Sequence, residues 1–377
     1  MKIAILTQPI LMNYGGVLQA YALQSILQSM GHDVTIINRV WNYEQGYIYR
    51  ALSFYKCVIL AFFSVVLRKY SYKSAKKKII DKYILTHYFA QENLKLSPKL
   101  VYDKEFRKYV SKNKFDAYIF GSDQVWRPKY SPNIYNYFLD FLNNQDTVIK
   151  MAYAASFGTD QWEYSEEETL KCRYLIQNFD FVSVREKTGV DMCAKYLNRS
   201  DAKWVLDPTL LLDVSVYREF ASKTVLPKNL IIYYLLDETL DKLTFISKCV
   251  DVFHGSIYNI KEGVPSLSDR HIREYSSIEE WLAGFANAQL AIVDSFHGCV
   301  FSLIFHVPFI VVGNKKRGLA RMESLLQLFS LQDRLVYEDE LLDFDIIHMK
   351  EPDWHQVDEI LKVKRQESFD FLNQFNK

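Results

Sequence analysis

The sequence predicts an α/β protein of two halves, each built on a parallel sheet, with a cleft between them. Three observations predict it. Short β-type runs alternate with segments of helical period, which is the pattern of βαβ units. The rhythm lapses at 214–229, where Ser, Lys, Pro and Asn replace it, and then resumes. The length, 377 residues, suits two domains of ordinary size. The expected division is a first domain over 1–213, a linker over 214–229, a second domain over 230–350 and a long C-terminal helix over 351–377.

Lys2 to Thr7 reads as the first strand. Gln8 to Gly16 carries loop chemistry, and Val17, Leu18, Tyr21, Ala22, Leu23, Ile26, Leu27 and Met30 then line one face of a helix that Gly31 ends. Val34 to Asn38 completes the first βαβ unit. Residues 40–110 are rich in Tyr, Phe and Lys and read as a helical insert. Strands return at Asp116 to Phe120, Val148 to Ala155, Phe181 to Val184 and Trp204 to Leu206, with a helix at Glu166 to Asn178. In the second half, strands are predicted at Leu230 to Leu236, Ser256 to Ile260, Leu290 to Val293 and Phe309 to Val312. Helices are predicted at Thr239 to Val250, Ile278 to Ala288, Gly298 to Phe305, Ala320 to Phe329 and Trp354 to Phe375.

Composition excludes several classes. With 49% hydrophobic and 24% charged residues the chain is neither disordered nor fibrous. Lys and Arg number 46 against 45 Asp and Glu, so no global charge favours nucleic acid. The five cysteines are odd in number and form no C-x-x-C pair, which excludes a zinc ribbon and fits a reducing compartment. No H-E-x-x-H motif or carboxylate cluster indicates a metal. The start, MKIAILTQPI, lacks the apolar core of a signal peptide, so a cytoplasmic protein is expected. Leu52 to Leu67 is apolar but contains Lys56 and is too short to span a bilayer.

In open parallel sheets, ligands bind beyond the carboxyl ends of the strands. The loops at those ends contain Asn13, Ser122, Asp123, Ser156, Arg185, Asp207, Ser295 and His297. The strongest signal is Asp294-Ser295-Phe296-His297-Gly298, where an apolar strand turns into a helix whose N-terminus favours an anion. His297 there can bind phosphate or transfer a proton. Arg185 follows a strand and carries the fork that captures carboxylate or phosphate. Gly121-Ser122-Asp123 offers a hydroxyl and a carboxylate, and Trp126 either stacks on a sugar ring or fills the core. Asn13-Tyr14-Gly15-Gly16 is not the dinucleotide fingerprint; it is either a close approach to a ligand or a plain turn. Lys315 and Arg321 are anion-binding candidates within a basic group.

Taken in order, NYGGVLQAYALQSILQSMGHDVTIIN, FDAYIFGSDQVWRP, YAASFG, FVSVREKTG, VLDPTLLL and DSFHGCVFSLIFHVPFIVV resemble the polysaccharide pyruvyl transferase family. The resemblance implies two Rossmann-like domains facing across a cleft, GT-B-like. It implies transfer of pyruvate from phosphoenolpyruvate, the co-substrate, to a sugar as a ketal, with no cofactor. Arg185 matches the family arginine that grips phosphoenolpyruvate, and His297 matches the histidine of its His-Gly motif. Ser295-Phe296 stands where many members carry Arg-Leu, so Lys315 or Arg321 is the expected replacement. Gly16 stands where many carry an acid. The donor site implied comprises Arg185, Ser295, His297, Gly298, Lys315 and Arg321. The acceptor site comprises Asn13, Tyr14, Gly15, Ser122, Asp123 and Trp126, with Asp123 as candidate base.

The acceptor implied is a hexose, galactose among the candidates, of a capsular or exopolysaccharide repeat unit, free or carried on undecaprenyl diphosphate. Arg68 to Lys78 has six basic residues and no acid and follows an apolar stretch. That combination suits either an anionic membrane face or a packed helix with a solvated rim. Two other readings are a GT-B glycosyltransferase using a nucleotide sugar and a non-catalytic carbohydrate-binding relative.

Overall fold

The computed structural model describes residues 1–10, 13–41, 85–142, 147–262, 275–313 and 318–376. The apolar stretch 52–67, the basic run 68–78 and Lys315 lie outside them. Two parallel sheets organise the described chain. The first contains β1 (Lys2–Leu6), β2 (Asp33–Ile36), β3 (Ala117–Phe120), β4 (Ile149–Ala155), β5 (Phe181–Val184) and β6 (Lys203–Trp204), in the order β2-β1-β3-β4-β5-β6. The second contains β7 (Leu230–Tyr234), β8 (Ser256–Asn259), β9 (Ala288–Val293), β10 (Phe309–Gly313) and β11 (Leu335–Tyr337), in the order β11-β10-β9-β7-β8. The strands between neighbours are apolar runs because parallel strands bury both faces. In β3, all four residues, AYIF, are buried.

The connecting helices are α1 (Tyr14–Ser29), α2 (85–93), α3 (Asp103–Asn113), α4 (Glu166–Ile176), α5 (Lys187–Leu197), α6 (Val214–Ala221), α7 (Leu240–Phe253), α8 (Ile278–Ala286), α9 (Phe296–Ile304), α10 (Ala320–Leu328) and α11 (Trp354–Leu372). Their ends follow capping chemistry. Ser165 and Ser277 open α4 and α8 with reciprocal boxes to Glu168 and Glu280. Gly31, with φ of +87°, follows α1, in the left-handed conformation that glycine adopts without strain.

The linker expected at 214–229 contains α6. Asp213 caps this helix, and Tyr217 on it meets Phe301 of α9 edge-on at 5.0 Å. Its apolar side is therefore core of the second half, hidden in the sequence by the exposed Ser and Lys around it. The C-terminal helix crosses back to the first sheet. Ser368 on α11 accepts from the Leu206 amide at 3.0 Å, and Phe371 packs near Tyr153 and Phe181. One apolar cluster runs from β1 and α1 into α8 and α9, so the halves share a core at the base of the cleft.

In each sheet the chain order reverses once, between β1 and β3 and between β7 and β9. Such switch points open a crevice at the strands' carboxyl ends. The two crevices face each other.

Candidate active site at the facing switch points

The loops after β1 and β3 are pinned together. Buried Gln19 on α1 donates to Thr7 Oγ1 at 2.8 Å, and Thr7 donates to the Ser122 carbonyl at 3.0 Å. Gly121 has φ of +112°, and a side chain there would strike the Tyr153 carbonyl. Asp123 has φ of +71°, sparsely used by residues with a side chain, and so directs its carboxylate at Arg185.

Arg185 leaves β5 with its side chain fully enclosed. Nη1 donates to Asp207 Oδ2 at 2.7 Å and Nη2 to Asp123 Oδ1 at 3.0 Å. Ser122 Oγ donates to the same Asp207 oxygen at 2.9 Å, and Thr209 caps the other at 2.7 Å. Burial alone raises the Asp207 carboxyl, but His297 and Arg185 outweigh it and hold the group well below the usual carboxylate range. Glu186, next in sequence, is buried and pushed up by that burial against the pull of Arg185 and Arg321.

From the second half, Ser295 caps α9 by accepting from the Gly298 amide at 3.1 Å. Asp294 is anchored by the Leu236 and Asp237 amides and by buried Lys242 at 3.3 Å. These contacts set Phe296 and His297 facing the first half. His297 Nε2 stands 3.7 Å from Asp207 Oδ2, an ion-pair distance rather than a hydrogen bond. The ring also lies against Gly15, where a Cβ would sit 2.1 Å from its Cγ and Nδ1. Phe296 presents its ring to two guanidinium groups, Arg185 at 4.4 Å and Arg321 at 5.8 Å.

Arg321, at the start of α10, is partly buried and has no hydrogen bond or ion pair among the described residues; its Nε is sealed from solvent without a partner. Burial first, and the charge of Arg185 second, lower its pKa to about 10. A cavity of about 320 Å³ opens here, lined by Asn13, Asp123, Arg127, Tyr234, Ser295, His297 and Arg321 among others.

Of the residues expected in a site, the structure thus brings together Asn13, Gly15, Asp123, Ser295, His297, Gly298 and Arg321. Four expectations need correction. Arg185 does not line the cavity, because both its terminal nitrogens are taken by carboxylates. Ser122 is equally enclosed, its hydroxyl given to Asp207. Tyr14 is buried, donates to the Ser276 carbonyl at 2.8 Å and stacks on Trp281, so it fastens the halves rather than meeting a sugar. Trp126 is fully buried, stacked on Phe138 with its Nε1 given to the Tyr137 carbonyl. Phe296, Arg127, Tyr130 and Trp41 were not singled out from the sequence; aromatic density near a strand end was the only available sign.

The profile of the polysaccharide pyruvyl transferase family matches residues 13–316. The chain belongs to this family. It is a transferase of polysaccharide biosynthesis on that ground. No curated protein sequence matches it significantly. Among solved structures, it superposes on UDP-GlcNAc 2-epimerase from Methanocaldococcus jannaschii with a TM-score of 0.50 at 11% identity, covering 96% of this chain and 99% of that one. Arabidopsis thaliana UGT89C1 complexed with UDP-L-rhamnose gives a TM-score of 0.50 at 8% identity, covering 99% and 97%. At such identity the likeness is one of fold, the two-domain GT-B-like arrangement. Among the described residues no helix is long and apolar enough to cross a membrane.

Proposed function

We propose that this pyruvyltransferase uses phosphoenolpyruvate as donor, bound in the cavity between the switch points, and delivers pyruvate to two hydroxyls of a hexose as a ketal. The observation that carries the reading is Arg321, a guanidinium with no hydrogen bond or ion pair among the described residues, on the wall that His297 shares. Glu186 and Asp123 oppose its charge without forming an ion pair with it, and an anion arriving at the wall would meet it directly. Phosphoenolpyruvate brings a phosphate and a carboxylate. The N-terminus of α9 adds backbone donors beside Ser295.

In this reading His297 delivers a proton to the donor's methylene carbon, and the adjacent carbon becomes oxocarbenium-like. A sugar oxygen bonds to that carbon, phosphate departs, and the second hydroxyl closes the ring. Of the two hydroxyl protons, one balances the new methyl group and one leaves with phosphate. Arg321 and the α9 amides stabilise the departing charge, the kind of preorganised electrostatics that dominates many rate enhancements. Galactose as acceptor and a lipid-linked carrier belong to the same reading and rest on the family resemblance; contact with an anionic membrane face rests on the apolar and basic stretches at 52–78 of the sequence.

A melting-temperature panel tests the donor. Phosphoenolpyruvate at 100 times its Kd is expected to stabilise by ~2.7 kcal/mol, whereas UDP-sugars should leave the transition unmoved. Stabilisation by UDP-sugars alone would replace this reading with the glycosyltransferase one.

A further inference from the structure

A second cavity of about 350 Å³ adjoins the first on the side of the β1–β3 switch point. The two share Asn13, Asp123, Gln124 and Tyr130, and Gln8, Pro9, Gly16, Trp41 and Lys129 complete the second. Their chemistry differs. The charged groups of the second each have an ion-pair partner: Asp123 has Arg185 at 3.0 Å, which it shares with Asp207, and exposed Lys129 has Glu163 at 3.0 Å, which it shares with Arg127. Its walls are rigid, because Gln8 donates to the Gln124 carbonyl at 2.6 Å and to Ser131 at 3.1 Å. Among the described residues, one cation sits over the Tyr130 ring. The Arg127 guanidinium, clamped to Glu163 by two bonds of 2.9 and 3.1 Å, lies 4.6 Å from the ring centroid.

We infer that this second cavity binds the accepting sugar as a neutral hexopyranose, between Trp41 and Tyr130. A sugar ring offers an apolar C–H face and a fringe of hydroxyls, which suits aromatic walls edged by amides and one carboxylate. The inference rests on the ketal-transfer reading above for the word acceptor, but the binding it asserts stands apart from the donor's identity. It also assigns Asp123 a place in the reaction. Its Oδ1 takes Arg185 and its own neighbouring amide, and Oδ2 has no hydrogen bond among the described residues. Asp123 is among the residues that line both cavities. As a sugar oxygen bonds to the electrophilic carbon of the donor, its O–H bond breaks and the proton passes to Oδ2.

The test uses methyl β-D-galactopyranoside, methyl β-D-glucopyranoside and methyl β-D-glucuronide, with binding read by saturation-transfer NMR with and without phosphoenolpyruvate. At least one neutral glycoside is expected to bind, and the glucuronide more weakly. Trp41→Ala and Tyr130→Ala should each weaken binding ~10-fold or more, by removing the apolar surface that covers the sugar's C–H face, while Trp41→Phe and Tyr130→Phe restore it. Asp123→Asn should leave glycoside affinity within ~2-fold and lower turnover ~100-fold or more, the scale of a lost general base. Absence of glycoside binding to the wild type, wild-type affinity in both alanine variants, or preference for the glucuronide would overturn the assignment. Glycoside binding without any response to phosphoenolpyruvate would leave it standing and fail the donor reading instead.

Discussion

Two guanidinium groups flank one phenyl ring in this molecule, and they are opposites. Arg185 has a carboxylate on each arm and no exposed surface. Arg321, on the far side of Phe296's reach, has no hydrogen bond or ion pair among the described residues and a pKa lowered to about 10. The first is bound by the fold and organises it; the second makes no ion pair there and, in the proposed reading, meets the donor. A buried charge that is fully paired says little about ligands, whereas one that is unpaired at a cavity wall points to one.

The largest effect expected from breaking this contrast is on the paired side. Arg185→Ala strands Asp123 and Asp207 in the interior and should cost ~3–5 kcal/mol, read by urea unfolding. Asp207→Asn should cost less, because Asp123 still meets Arg185. Asp207 is held below its unfolded value of ~4, so its contribution is full above that pH and is lost as pH falls beneath it. The gap between wild type and Asp207→Asn should therefore shrink in acid; a gap that widened there would show Asp207 to be no counter-ion.

The unpaired side should behave the other way. Arg321→Gln is expected to leave the melting temperature level or raised, and to weaken phosphoenolpyruvate binding ~10–100-fold, the scale of one or two charge-assisted bonds. Wild-type donor affinity should also fade as pH rises through about 10, earlier than an ordinary arginine would allow. Calorimetric titration across that range checks both. The smallest effect is expected at Ser295→Ala, which removes one cap bond and should cost ~1 kcal/mol with a modest loss of donor affinity.

Much of this arrangement was legible beforehand. Parallel strands buried on both faces announce themselves as apolar runs, and the strand-end rule picked out Asp123, Arg185 and His297 at once. What the sequence could not convey was which way a side chain turns. Trp126 follows a turn that would serve a sugar platform or a core filler equally well; Phe138 and Phe157, from separate segments, decide for the core. Trp41 and Tyr130, 89 positions apart, share a cavity only through the folded chain. Likewise α6 is invisible as a core element until Tyr217 is seen against Phe301.

The contact between Gly15 and His297 has one more consequence. The histidine belongs to one half, and both the glycine that leaves room for it and the aspartate that faces it belong to the other. In the proposed reading, where His297 is the acid, the proton donor is thus a property of the shut molecule. Any hinge motion that admitted substrates would pull the imidazole from its counter-ion and bare it to water, and only reclosure would restore the pair. An enol phosphate waiting in the open cleft would meet no poised acid, so the donor would be spared wasteful hydrolysis until both halves had closed around it.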